Sequence, residues 1–363
     1  MLPLLRAASA AGHQVVVATG PDLVGELQRR GYQTWAVGPA VRDVWSELRS
    51  SPPAEDSAEQ FSRSASVLYG RPGIARALEL LSRAAHWAPD VVVHSLTEVA
   101  GAEAAARTGA HEIVVGPTGD VRSAHDLLPL ITAELAASLS TPDRYADILA
   151  ALYLDPRVPG LATDRPTTFA HVRLVRPELE EPRHRLPLRV QRFGDQRTVL
   201  LTLGHEAARP SLLSTALAGL RGFRINLLVE TGPAGELPEL GQPPGNVAIG
   251  RVINYARALP LCSAVIGNAS NELTTGALGH GLPMINLPSS RNQAVTAHRV
   301  SQIGAGITLP PDRLNPGAVR RAPSRPVRRP GVRRGRASSA DGHRRAAQRR
   351  RGAIRADRDG PRS

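Results

Sequence analysis

The chain has 363 residues, 42% of them hydrophobic and only 3% aromatic, so it can bury a sizeable core that must be aliphatic and alanine-rich. Its net charge of +13 sits at one end: sixteen arginines and three aspartates fall after Val319, and residues 1–318 balance. No apolar run approaches the ~18 residues of a membrane span, no basic-then-apolar leader opens the chain, and the single Cys262 excludes an internal disulfide or a cysteine metal site. The length suits two domains, and a cytoplasmic location is expected.

Residues 1–13, MLPLLRAASAAGH, read as an alanine-rich helix ending at Gly12. A strand at 14–18, a turn at Gly20-Pro21-Asp22, a helix at 23–30 and a strand at 34–37 follow. His13 lies at the helix-to-strand turn and takes a surface or capping role. Residues 40–60, rich in Ser, Pro and Glu, read as a mobile loop. A helix is expected over 74–85. Residues 89–94 form a buried strand, and Ser95-Leu96-Thr97-Glu98 opens a further helix at its carboxyl end. Another strand covers 111–116, and a helical region runs to about 154. Residues 155–187 hold many Pro and Arg with little periodicity.

A buried strand at 198–204 ends in a glycine turn. A helix at 211–220 and strands at 224–229 and 246–249 come next. Ala264-Val265-Ile266 is a buried parallel strand, followed by the small polar run Gly267-Asn268-Ala269-Ser270-Asn271. A helix over 271–278 stops at Gly279-His280-Gly281, with Pro283 beyond. His280 packs and caps there. A strand at 284–287 and a helix at 293–303 complete a unit of parallel α/β sheet. In such sheets ligands sit at strand carboxyl ends, beside helix N-termini whose free N–H groups and dipole attract phosphate. Residues 268–271 occupy that position.

The segments Gly267-Asn268-Ala269-Ser270-Asn271-Glu272-Leu273-Thr274-Thr275, Ala277-Leu278-Gly279-His280-Gly281-Leu282-Pro283, Asn292-Gln293 and Ala297-His298-Arg299-Val300 resemble the donor half of the bacterial natural-product glycosyltransferases. These are the macrolide- and enediyne-type enzymes of glycosyltransferase family 1. Pro3, Arg6 and the AAGHQVVVATGP segment resemble the same family near the start of the chain. The resemblance covers about residues 1–318. It implies an α/β, GT-B fold with two Rossmann-like domains facing a cleft. The acceptor-binding domain would span 1–155, an interdomain linker 156–196, and the nucleotide-sugar-binding domain 197–318. It also implies that the chain starts inside the first helix, without the central first strand and the loop bearing the family's catalytic His, which fall before Met1.

By resemblance, His94 and Glu98 line the acceptor cleft and are the catalytic candidates. The residues alone equally allow a core-edge histidine and a first-turn helix acid. Donor contacts are carried over to Gly204, His205, Tyr255, Asn268, Ser270, Asn271, Asn292 and Gln293. The family's base-stacking Trp is Val252 here, leaving Tyr255 to supply a ring. Glu272 stands where the family has a glycine. A carboxylate about 4 Å from a diphosphate charge is repelled by roughly 4 kcal/mol at an effective dielectric near 20. That exceeds the ~0.3–1 kcal/mol that the first turn of a helix gives an acid. No metal spacing occurs among the eleven histidines, so no metal and no cofactor beyond a nucleotide-sugar co-substrate is expected.

The 319–363 stretch has almost no large apolar residues. Ordering a residue costs about 1–2 kcal/mol for backbone alone, so an arginine-rich disordered tail is expected. A nucleic-acid-binding tail is one reading. A reading frame shifted near codon 319 is the preferred one, because GC-rich DNA read out of frame yields Arg, Pro, Gly, Ala and Ser. The expected function is transfer of a sugar from a UDP- or dTDP-activated donor to a hydroxyl of a secondary-metabolite aglycone, a hexosyltransferase-type activity. The alternative is a degenerate, non-catalytic relative that binds an aglycone or a partner enzyme. Nucleotide sugar and aglycone are the expected partners, nucleic acid is not, and a homodimer is left open.

Overall fold

A computed structural model describes residues 1–50, 57–117, 122–161, 168–179, 185–203, 210–232 and 244–322. Among them the chain forms three parallel sheets. Helix α1 (Leu2–Ala10) leads into β1 (Val16–Thr19), α2 (Pro21–Arg29) and β2 (Gln33–Ala36), and β1 and β2 pair as a two-stranded sheet. Helices α3 (Val41–Ser50), α4 (Ser57–Ala65) and α5 (Arg71–Trp87) follow, with a π-helical turn at Ser66–Gly70 before α5. Then come β3 (Val91–Ser95), α6 (Val99–Thr108), β4 (His111–Val115), α7 (Arg122–Leu139), α8 (Tyr145–Ala150), β5 (Leu152–Asp155) and β6 (His171–Leu174). Strands β3 to β6 pair in chain order.

The third sheet holds β7 (Thr198–Thr202), β8 (Asn226–Glu230), β9 (Val247–Gly250), β10 (Cys262–Gly267), β11 (Met284–Asn286) and β12 (Gly306–Thr308) in the order β12-β11-β10-β7-β8-β9. Helices α9 (Pro210–Leu220), α10 (Tyr255–Ala258), α11 (Asn271–Gly279), α12 (Arg291–Gln302) and α13 (Pro316–Arg321) connect or flank these strands. Central strands β7 and β8 are buried along their whole length, as continuous apolar runs in a parallel sheet require. Leu201, Leu217 and Val229 pack on one face, and Leu200, Leu228, Leu273 and Met284 on the other.

Four elements differ from the sequence expectations. Residues 41–50 form a helix rather than a mobile loop, while 51–56 lie outside the described residues. Its first N–H groups, those of Val41 and Arg42, donate to Asp22 at 3.0 and 3.2 Å, and Val44 is buried. That cap comes from nineteen residues away, so no local capping residue announces the helix. The helical region ends at Ala150, and Leu152–Asp155 is a strand hydrogen-bonded to β4. Strand β6 lies inside the stretch read as a linker; its four residues, His171-Val172-Arg173-Leu174, alternate too briefly to stand out and are exposed on both faces. Structure also continues past Val319. Val319 and Ala322 are buried against α9, and Arg320 donates to the Arg221 carbonyl at 2.8 Å. The expected disorder and frame shift fall mainly on residues 323–363, which lie outside the described residues. His13 is exposed, and the His280 ring bonds the Gly276 carbonyl at 2.9 Å, a capping contact.

Candidate functional site

Parallel register aligns the carboxyl ends of five strands in one row. Glu230 pairs with Thr202, Thr202 with Gly267, Gly267 with Asn286, and Asn286 with Thr308. Most donor candidates stand on or just past this row. The loop 268–270 leaves β10 and enters α11, with Ser270 as N-cap. One strand over, the loop after β11 enters α12, whose N-cap Ser290 accepts from the Gln293 N–H. Two helix N-termini therefore open at the same sheet edge, each adding its positive dipole end and unbonded N–H groups.

Asn268 is buried and turned inward. Its amide donates to the Leu203 carbonyl at 2.9 Å, and its Oδ1 accepts from the Ser270 N–H at 3.1 Å. It thus ties β7 to the turn and holds the backbone in place. Ala269 sits at φ 59°, a left-handed conformation costing a non-glycine residue about 1–2 kcal/mol. Asn271 and Glu272 are exposed on the first turn of α11. Gln293 is buried, and its Oε1 accepts from both the backbone N–H and the hydroxyl of Ser289 at 2.8 and 2.9 Å. Asn292 is exposed, and its backbone carbonyl accepts from Thr296. Gly204 and His205 lie outside the described residues.

Tyr255 opens α10 at the other end of the row. Its hydroxyl donates to Glu230 at 2.6 Å and lies 3.1 Å from the Thr202 hydroxyl. Thr202 also donates to Glu230, whose second oxygen accepts from the Ile253 N–H at 2.8 Å. Burial first, then the Glu230 charge, pushes the Tyr255 phenol well above its ordinary value, so it stays a neutral donor. Val252, which by resemblance replaces the family's stacking Trp, is exposed. Glu230 and Thr202 belong to this cluster at the strand ends, and sequence reasoning did not single them out. The signal was a carboxylate closing the apolar run Asn226-Leu227-Leu228-Val229-Glu230, which had been ended one residue early.

His94 and Glu98 are brought to one place in the first half. The His94 ring is buried, with Nε2 2.8 Å from Glu112 and Nδ1 2.9 Å from the Ser95 carbonyl. Both ring nitrogens are thus engaged by acceptors within the protein. Helix α6 crosses His94 at Gly101, where a Cβ would lie 2.6 Å from the ring. Glu98 precedes α6 and accepts from Arg76 at 2.6 Å. Burial pushes its carboxyl above the usual range, against the opposing pull of Arg76 and His94. A folded-state value above the unfolded one stabilises the fold fully below the unfolded pKa of 4.5, and that contribution fades as pH rises through the folded value. Glu98→Gln, which stays neutral, is therefore expected to gain stability relative to the parent as pH rises above 4.5 through the raised folded-state value. Urea midpoints measured across that range check this; a difference that stays constant or shrinks counts against it.

The comparisons with known proteins bear on the same carboxyl-end row. The family model for the C-terminal domain of erythromycin biosynthesis protein CIII-like proteins matches residues 223–346. Over 94% of this chain and 90% of the relative, the sequence is 25% identical to 3-alpha-mycarosylerythronolide B desosaminyl transferase of Saccharopolyspora erythraea. It is 28% identical to elloramycin glycosyltransferase of Streptomyces olivaceus over 89% and 86% of the two chains. The glycosyltransferase VinC, solved in complex with dTDP, superposes with a TM-score of 0.73 at 20% identity, covering 91% of this chain and 88% of that one. The chain is a glycosyltransferase of the GT-B fold. It matches both of these relatives over most of their length. Among the described residues of this glycosyltransferase, no group of three or more His, Cys, Asp or Glu could hold a metal ion. No described helix is long and apolar enough to cross a membrane.

Proposed function

We propose that the chain transfers a sugar from a nucleotide-activated donor, dTDP- or UDP-linked, to a hydroxyl of a secondary-metabolite aglycone. The observation that carries this reading is the row of strand ends Glu230–Thr202–Gly267–Asn286, with the N-termini of α11 and α12 opening just past it. Two helix ends side by side suit a diphosphate. In this reading the first-turn N–H groups of α11 and the Ser270 hydroxyl hold the phosphates. The exposed side chains of Asn271 and Asn292 meet the donor. Asn268 and Gln293 shape the two turns from within, and the pinned Tyr255 ring walls the nucleoside side. The names of relatives support the donor class: one is a TDP-daunosamine transferase, and VinC was solved with dTDP. The acceptor class is supported by a spinosyn rhamnosyltransferase solved with its aglycone.

Calorimetric titration with dTDP and with UDP tests the proposal. Binding with a Kd below about 1 mM is expected for at least one of them. No binding of either at millimolar concentration would sink the sugar-transfer reading and leave a non-catalytic binding protein. Glu272 offers a second check. It is exposed, so its repulsion of a diphosphate is nearer the ~1 kcal/mol of a water-like dielectric than the interior limit. Glu272→Gln is expected to tighten the nucleotide about fivefold. Unchanged affinity would place the diphosphate away from α11.

A further inference from the structure

Asn286 ends β11 in the row of strand ends, with Gly267 of β10 on one side and Thr308 of β12 on the other. Its side chain is fully buried, and neither its Nδ2 nor its Oδ1 has a hydrogen-bond partner among the described residues. Buried carboxamides almost always find partners, because a stranded donor or acceptor keeps the full cost of leaving water. Strand alternation gives the direction of this one. Ile285 packs with α9 and α13 on one face of the sheet, and Met284 with α11 and α12 on the other. Asn286, two residues on from Met284, therefore points into the layer of α11 and α12, at the end where both helices begin.

The order of features along the row gives this amide a place. Tyr255 and Glu230 stand at one end, Gly267 and the N-terminus of α11 come next, and Asn286 follows. A nucleotide sugar has the same order: nucleoside, diphosphate, sugar. With the nucleoside against Tyr255 and the diphosphate at α11, the sugar falls at Asn286.

We propose that Asn286 is a donor-specificity residue whose carboxamide binds neighbouring hydroxyls of the transferred sugar. The inference rests on the sugar-transfer reading. The chemistry of the side chain selects the ligand. A carboxamide donates through Nδ2 and accepts through Oδ1, and two adjacent ring hydroxyls, one accepting and one donating, satisfy both. A phosphate only accepts and would leave Oδ1 stranded. A deoxygenated ring edge would leave both atoms stranded. Because Asn286 is buried, the contact requires the turn after β11 to shift as the donor binds. That turn is held to α12 by side-chain bonds, the Ser289 N–H and hydroxyl on Gln293 Oε1, and Ser289 and Ser290 are exposed.

Calorimetric titration of the parent and of Asn286→Leu with dTDP, UDP, dTDP-glucose and UDP-glucose tests this. Nucleotide binding by the parent checks the sugar-transfer reading by itself; the affinity of the glucose form relative to the free nucleotide checks Asn286. The leucine variant is expected to bind the free nucleotide within about twofold of the parent and the glucose form about tenfold more weakly, the worth of two neutral hydrogen bonds. Equal weakening of both forms would show a structural role and overturn the proposal. No weakening of either overturns it too, as does a parent that binds a nucleotide but not its glucose form. A parent that binds neither nucleotide sinks the sugar-transfer reading and this inference with it. If the leucine variant does not fold, Asn286→Ala is read by the same outcomes.

Discussion

Glu230→Leu is expected to destabilise the fold by about 2–5 kcal/mol. Glu230 is buried and accepts from three donors: the Thr202 hydroxyl, the Tyr255 hydroxyl and the Ile253 N–H. An apolar replacement strands all three, and each buried donor left unmade costs about 1–3 kcal/mol, less whatever water can recover. The three donors come from β7, α10 and the turn before α10, so the loss loosens the carboxyl-end row as well as the core. Glu230→Gln keeps one good acceptor and lets the Thr202 and Tyr255 hydroxyls turn to accept, so its cost is smaller. Urea unfolding of both variants measures this, and dTDP titration reads how far the Tyr255 wall depends on it. A Leu variant within about 0.5 kcal/mol of the parent would show that the carboxylate is dispensable, as some buried charges are.

What sequence reading reached and missed has a common physical origin. Five strands of the six-stranded sheet were legible because a parallel central strand must be apolar on both faces, as Leu200-Leu201 and Val265-Ile266 say locally, whereas the three-residue edge strand Gly306–Thr308 was not read. The turn 268–271 was legible because a strand, a small polar run and a helix start follow one another in the chain. Features assembled from distant segments were not. The acceptor pinning the His94 ring is Glu112 on the neighbouring strand, and it is found only through the β3–β4 register. Asp22 caps α3 from across a strand, and β6 is an exposed edge whose side chains follow no burial pattern. Asn268 shows a subtler limit. Its position in the site was legible, but the direction of its amide, toward Leu203, depends on β7 lying beside β10.

The placement of α11 rests on one glycine and one leucine, and a double-mutant cycle is expected to show them coupled. A Cβ at Gly267 would lie 2.2 Å from Leu273 Cδ2 and 3.1 Å from the Thr202 carbonyl oxygen. Gly267→Ala therefore forces Leu273 and its helix outward, with an overpacking cost of about 1–3 kcal/mol. Leu273 is fully buried, so Leu273→Ala alone removes a packed side chain at about 2–5 kcal/mol. The two changes together put a methyl group into the space that the leucine vacates, so the double variant should fall short of the sum by about 1–3 kcal/mol. Additivity within about 0.5 kcal/mol would mean that the Thr202 carbonyl, not Leu273, sets the limit at Gly267. Nucleotide affinity should follow the geometry rather than the stability. Gly267→Ala displaces the N-terminus of α11 and should weaken dTDP binding, whereas Leu273→Ala leaves the turn in place and should weaken it less. If the affinities rank instead with the stabilities, α11 does not hold the diphosphate, and the donor would have to be sought at α12.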